Sequence, residues 1–185
     1  MKINELIDKH GRILSFASDQ YIFHQGDLDN SLYVVKSGLL KAYYISNEGK
    51  QSIKSFLLPG DTIGSLTAAK EKKGCSFSLR CLQASTLMCI DFDTLYRLSK
   101  QDIELAGNML DILLDFGMRK EKREYEFLCL SPQERYQNLL ATKPKLFGLV
   151  KQSEIASYLG ITPVGLSRIK TRLNNTEQKT YEQKT

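Results

Sequence analysis

The sequence predicts an α+β chain: a sandwich or barrel of short strands, then one long helix, then two short helices joined at a tight turn. Three observations predict it. Between Arg12 and about Phe92, short β-prone runs alternate with Gly, Asn and Asp turns. From Phe92 onward, apolar residues recur every three or four positions. Between Gln152 and Leu173, two such helical runs meet at Gly160, and the excess positive charge of the chain gathers around them.

With 185 residues the chain has room for one domain or two small ones. An apolar fraction of 42% and a charged fraction of 25% are those of a globular protein. No apolar run reaches the length of a membrane span. The first residues, MKINELIDKHGRIL, are amphipathic and carry acids, which a secretory signal does not. Cys75, Cys81, Cys89 and Cys129 match neither a CxxC zinc site nor a small disulfide framework, so reduced thiols in the cytoplasm are expected.

Residues 1–10 read as a short helix with Ile3, Leu6 and Ile7 on one face. Six strands follow, at Tyr21–His24, Leu32–Lys36, Leu39–Ile45, Ser52–Leu58, Phe77–Leu82 and Leu87–Phe92. Asn47-Glu48-Gly49 is the hairpin turn between two of them. Asp93–Lys100 reads as a short helix, and a long one runs from about Asp102 to Phe127. Leu105, Met109, Ile112 and Phe116, then Arg123 and Phe127, step by three and four with Leu113 beside them. That is the spacing of a helix–helix seam for a partner copy, although the same stripe also suits the chain's own barrel. Ser131-Pro132-Gln133-Glu134 is a capping box that opens the next helix, whose apolar face is Tyr136, Leu139 and Leu140. Lys143-Pro144 ends it.

In QSEIASYLGITPVGLSRIKTRL, Ile155 and Leu159 share one helix face and Ala156 permits a close crossing. Gly160 ends the first helix in the left-handed conformation, and Thr162 caps the second, with Pro163 at its first position. Leu166 and Ile169 face inward, which leaves Val164, Ser167, Arg168 and Thr171 outward. This is the pattern of a DNA-binding helix-turn-helix, although an ordinary helical hairpin can share it. Charge favours the former. From Pro132 to Leu173, seven cations (Arg135, Lys143, Lys145, Lys151, Arg168, Lys170, Arg172) stand against Glu134 and Glu154, a net of +5, which equals the charge of the whole chain. Such a localised excess is the footprint of a surface that contacts phosphate. The stretch after Leu173 is polar and expected to be disordered.

Together these features resemble the cyclic-AMP receptor protein (Crp/Fnr) family of bacterial transcription regulators, in its compact subgroup with a short DNA-binding domain. The resemblance rests on Phe23-His24-Gln25-Gly26-Asp27, Leu32-Tyr33-Val34-Val35-Lys36-Ser37-Gly38, Asn47-Glu48-Gly49-Lys50, Leu58-Pro59-Gly60-Asp61-Thr62-Ile63-Gly64, Pro132-Gln133-Glu134-Arg135-Tyr136 and Ile155–Ile169. It implies a jelly-roll effector domain over 1–100, a dimerisation helix over 101–130 and a helix-turn-helix domain over 131–173, with 174–185 left as a tail. It also implies a homodimer on double-stranded DNA in the cytoplasm, contact with RNA polymerase, and room for a small-molecule effector. By family position Arg168 reads a base and Val164 replaces a glutamate common in relatives. Thr162, Pro163, Ser167, Thr171, Arg172 and Lys151 complete the expected DNA-contacting set.

One departure bears on the effector. Cyclic-nucleotide-binding members carry Gly-Glu-Leu and then Arg-Ser around the phosphate. Here the positions read Gly64-Ser65-Leu66 and Cys75-Ser76. Serine stands for the acid that takes the ribose hydroxyl, and cysteine for the guanidinium that clamps the phosphate. A thiol does not replace a charge-assisted bidentate contact. No cyclic-nucleotide cofactor is therefore expected, although a responsive but non-standard pocket stays open as the alternative. Lys70, Lys72 and Lys73 are nearby sources of charge. The family's iron–sulfur and haem sensors need an N-terminal cysteine cluster or axial ligands, whereas the first cysteine is Cys75 and the histidines are His10 and His24. A metal-dependent cupin-like enzyme needs a His and carboxylate cluster that two histidines do not supply, so no catalytic role is expected. A module acting through protein contact alone would not need the basic hairpin.

Overall fold

Residues 10–182 are described by a computed structural model of the protein, with side chains through Asn175. The helix expected around Ile3, Leu6 and Ile7 lies outside the described residues. The chain forms two compact units, Met1–Lys120 and Glu121–Thr185.

The first unit contains strands β1 (Arg12–Phe16), β2 (Tyr21–Phe23), β3 (Ser31–Ser37), β4 (Leu40–Ile45), β5 (Gln51–Leu57), β6 (Thr62–Ile63), β7 (Ser78–Cys81) and β8 (Ser85–Asp91). They make two four-stranded sheets, ordered β1-β8-β3-β6 and β2-β7-β4-β5, and every pairing is antiparallel. Two sheets assembled from interleaved strands are a jelly roll. Alternation along the strands explains the layers. Tyr33, Val35, Leu87 and Cys89 point between the sheets, where they meet Leu40, Leu57, Phe77 and Leu79. Leu32 and Ile90, one residue out of step with them, belong to a second cluster with Phe92, Leu95, Leu105 and Met109. Asn47–Gly49 forms the turn between β4 and β5, where the Gly49 amide donates to the Ser46 carbonyl at 2.9 Å.

The sequence predicts neither β1 nor β6. β1 is mostly exposed and pairs only β8 at the edge of its sheet, and β6 is two residues long. Helix α1 (Leu66–Glu71) is also unpredicted, because six residues are too few to show a helical period. Helix α2 (Phe92–Ser99) is capped by Asp91, whose carboxylate accepts from the Thr94 amide at 2.7 Å.

Helix α3 spans Ile103–Cys129. Its stripe Leu105, Met109, Ile112 and Phe116, expected to meet a partner copy, instead packs on the second cluster of its own barrel. Of the two readings that the spacing allowed, these four residues take the barrel, while Leu113 beside them stays exposed. A second apolar stripe at about 100° per residue lies on the opposite face. It comprises Ile103, Leu110, Leu114 and Met118, which are 91%, 57%, 53% and 61% exposed. A Cβ built at Gly107 or Gly117, on the same stripe, meets nothing within 4 Å.

In the second unit, α4 (Pro132–Thr142) opens on the expected capping box: the Glu134 amide donates to Ser131 Oγ at 3.3 Å, and the Ser131 amide to Glu134 Oε2 at 2.8 Å. Tyr136 and Leu139 are buried, whereas Leu140 is exposed rather than part of the apolar face. A short turn, α5 (Leu146–Leu149), leads to α6 (Gln152–Leu159) and α7 (Pro163–Glu182). The backbone from Asn174 to Glu182 continues α7 where a disordered tail was expected. No proline or glycine follows Gly165, and Glu, Gln and Lys are favourable helix formers.

Candidate nucleic-acid interface and effector pocket

The two helices of the hairpin are held by Ile155, Ala156, Leu159, Leu166 and Ile169, all buried. Gly160 adopts φ 70°, and its amide donates to Ser157 O at 3.2 Å, ending α6. Thr162 Oγ1 accepts from the Gly165 amide at 3.1 Å, so it caps the first turn of α7. With Leu166 and Ile169 turned inward, Val164, Ser167, Arg168, Thr171 and Arg172 are exposed on the outer side of α7, and Thr162 and Pro163 are exposed at its start. Lys151 is exposed immediately before α6. The structure thus brings the expected contact set, Lys151 at the start of α6 apart, onto one face of α7 and its N-terminal end. Within and beside this set, Thr171 Oγ1 donates to Ser167 O at 3.1 Å, and Lys170 Nζ donates to Gln152 Oε1 at 3.3 Å. Arg168 makes no hydrogen bond or ion pair among the described residues. A helix N-terminus flanked by cations, with short hydroxyl side chains and a free guanidinium outward, suits phosphate positioning and base reading.

In the barrel, the structure brings the two expected pocket positions together. Ser65 is buried and caps α1, its Oγ accepting from the Ala68 amide at 3.3 Å. Cys75 is buried beside it, and its thiol donates to Asp29 O at 3.6 Å. Burial first, then the carboxylates of Asp29 and Asp27, push the Cys75 thiol up from its ordinary value, while hydrogen bonds from the Asp29 backbone and Ser65 lower it. The environment is thus arranged against negative charge. The carbonyl of Ser31 lies 2.8 Å from a Cβ built on Gly64, so backbone closely approaches this glycine. Leu66 and Ser76 are exposed at the rim.

The nearby lysines each have a side-chain partner. Lys72 Nζ pairs with Asp93 at 2.5 Å, Lys73 with Glu71 at 2.8 Å, and Lys70 sits 4.7 Å from the Tyr96 ring centroid. The open depression at this place, lined by Leu28, Asp29, Asn30, Ala68, Lys72 and Lys73, has a volume of about 210 Å³, below the ~300 Å³ at which ligand pockets usually begin. Asp29 was missed by sequence reasoning. It also accepts from Tyr33 Oη at 2.7 Å and from the Ser31 amide at 2.8 Å. No local spacing signals a residue that meets Cys75 across 46 positions of chain.

Comparison with known proteins agrees with this fold. The family model of the cyclic nucleotide-binding domain matches residues 13–102. The anaerobic regulatory protein of Pasteurella multocida is 34% identical over 83% of this chain and 60% of its own length. The regulatory protein HlyX of Actinobacillus pleuropneumoniae is 31% identical over 89% of this chain and 72% of its own. FixK2 of Bradyrhizobium japonicum superposes with a TM-score of 0.77 at 17% identity, covering 90% of this chain and 86% of that one. The chain spans about 60% of the length of the first of these relatives. The jelly roll, the long helix, the helix-turn-helix and these likenesses together show that the chain belongs to the Crp/Fnr family of transcription regulators.

Proposed function

We propose that this protein is a homodimeric, sequence-specific DNA-binding regulator, not an enzyme, acting in the cytoplasm. The observation that carries the reading is the outer face of α7. Arg168, Ser167 and Val164 stand there exposed, in the one region of the chain that holds its net positive charge. Arg168 reads a guanine edge, Ser167 and Thr162 take phosphate or sugar, and Val164 offers apolar contact, for instance to a thymine methyl. Thr171, Arg172 and Lys151 add backbone contacts, and Pro163 sets the helix start. The exposed stripe Ile103, Leu110, Leu114 and Met118 is the dimer seam. Selection of bound fragments from random DNA, followed by gel shift at moderate salt, tests this reading. A palindromic consensus is expected, and salt-sensitive binding without sequence preference refutes it. Contact with RNA polymerase follows if the bound dimer activates transcription with purified polymerase.

The same proposal holds that the barrel does not bind cyclic AMP in the usual way, because Ser65 and Cys75 provide neither carboxylate nor guanidinium. A second reading, a cyclic-nucleotide response through a non-standard pocket, is favoured by the family match over 13–102. Calorimetry with cyclic AMP separates the two. Micromolar affinity lost on Ser65→Ala supports the second reading and overturns the first; no measurable heat supports the first and leaves a different small-molecule effector to be sought.

A further inference from the structure

The last turns of α3 and the helix-turn-helix are joined by an arrangement that neither DNA contact nor the barrel explains. Arg123, on α3, has its guanidinium carbon 3.8 Å from the Tyr158 ring centroid and 4.2 Å from that of Phe127. Its Nη2 donates to the Tyr158 carbonyl, in the last turn of α6. Arg135, on α4, lies against the same Phe127 ring at 4.8 Å. Its Nη1 donates to the carbonyls of Leu130 at 2.9 Å, Phe127 at 3.4 Å and Glu126 at 3.5 Å, at the end of α3. Each helix end is therefore capped by an arginine from another helix, where orphaned carbonyls and the negative end of the dipole favour a cation. Phe127 is the shared spacer. Its Cε1 lies 2.6 Å from where a Cβ on Gly160 would stand, so the turn of the hairpin is seated directly on this ring.

The joint is not the one that stability alone would select. Nη1 of Arg123 and Nε of Arg135 are buried without a hydrogen-bond partner among the described residues. Burial foremost lowers the Arg123 pKa; Tyr158 and Glu126 oppose the shift, and Arg135 adds a smaller repulsion. Apolar residues would join the helices without burying two like charges. What a planar guanidinium adds is direction: it stacks on two rings and donates in its own plane, so it accepts one angle between the elements it bridges.

We propose that Arg123 is a positioning residue that fixes the angle between the end of α3 and the helix-turn-helix, and so sets the half-site spacing that the protein accepts on DNA. This rests on the dimeric DNA-binding reading above. In a two-fold dimer, the separation of two recognition helices must match the separation of two half-sites. When the angle is fixed, both half-sites are engaged together at one spacing only; when it is free, simultaneous engagement is spread over several spacings and the effective concentration at each falls.

The full-length protein, Arg123→Met and Arg123→Lys are titrated by gel shift against the selected palindrome. Variants of that palindrome have the half-sites moved apart or together by single base pairs, and an isolated half-site is included. The unmodified protein is expected to show one sharp optimum. Arg123→Met, which keeps length and apolar contact with the rings, is expected to lose about tenfold or more at that optimum and to bind neighbouring spacings almost equally. Its affinity for the isolated half-site stays within about twofold. Arg123→Lys, charged but not planar, is expected to behave like Arg123→Met. An unchanged spacing profile in Arg123→Met overturns the proposal. So does an equal loss on the half-site and the palindrome, which makes Arg123 merely structural. A sharp optimum restored by Arg123→Lys overturns the role of the plane. If the unmodified protein binds a half-site as tightly as the palindrome at every spacing, the dimeric reading has failed, and this inference falls with it.

Discussion

Replacing Leu114 by Ala is expected to weaken the proposed dimer while leaving the barrel folded. Leu114 and Leu110 leave 53% and 57% of their surface exposed on the outer stripe of α3. Complete burial of a leucine contributes about 1.5–3 kcal/mol. Half of that from each protomer, counted twice across a two-fold seam, gives about 1.5–3 kcal/mol per dimer. The dimer dissociation constant should therefore rise about 10- to 150-fold. Phe116→Ala is the contrasting variant. Its ring packs with the core cluster that contains Leu105 and Met109, so its truncation is expected to cost about 2–4 kcal/mol of fold stability. Sedimentation equilibrium gives the dissociation constant of each variant. Thermal unfolding well above that constant gives the stability. The reasoning is refuted if Leu114→Ala leaves dimerisation unchanged while Phe116→Ala yields a thermally stable monomer.

Arg168→Ala is expected to cost about 1–3 kcal/mol on the selected operator and much less on scrambled DNA, so the ratio of the two affinities collapses; equal losses on both make it a backbone contact. Gly160→Ala strains a residue at φ 70° and drives a methyl into Phe127, and about 1–2 kcal/mol of destabilisation is expected from the backbone alone. Phe127→Leu in the same chain should recover part of the steric loss, and strict additivity in denaturant titrations would exclude the contact. Burial, and then the hydrogen bond at 2.9 Å to Tyr21 Oη, push the Tyr43 phenol from 10.0 up to about 12. A raised folded pKa gives stability that is complete below pH ~10 and lost as the pH climbs through ~12. Tyr43→Phe is therefore expected to lessen the loss of stability between those limits in urea titrations, and parallel curves would reject the assignment.

Much of this architecture was legible because it is written in local pattern. The strands from Tyr21 to Phe92 announced themselves by alternation and turn residues, and the Ser131–Glu134 capping box by four adjacent residues. The hairpin turn at Gly160 and the cap at Thr162 were likewise legible, since a helix end needs positive φ or a side-chain oxygen at a fixed place. The candidate DNA face followed from the same logic: once Leu166 and Ile169 turn inward, Arg168 and Val164 must turn outward. What local pattern left out were the edge strand β1, the two-residue β6 and the six-residue α1, each too short or too exposed to show a period.

The sequence by itself determined the class of most of the longer segments and the address of the positive charge. Only the tertiary structure decided which apolar stripe of α3 meets its own barrel, and the stripe it placed there is the one whose spacing also suited a partner. A three-four repeat states that a face is apolar, not what covers it, and a helix of 27 residues has room for two such faces. The tertiary structure alone also set Asp29 against Cys75, and Phe127 with its two arginines beneath Gly160. The Asp29–Cys75 and Phe127–Gly160 contacts join residues far apart in the chain, whose chemistry is decided by burial and mutual distance, quantities that no single stretch of sequence contains.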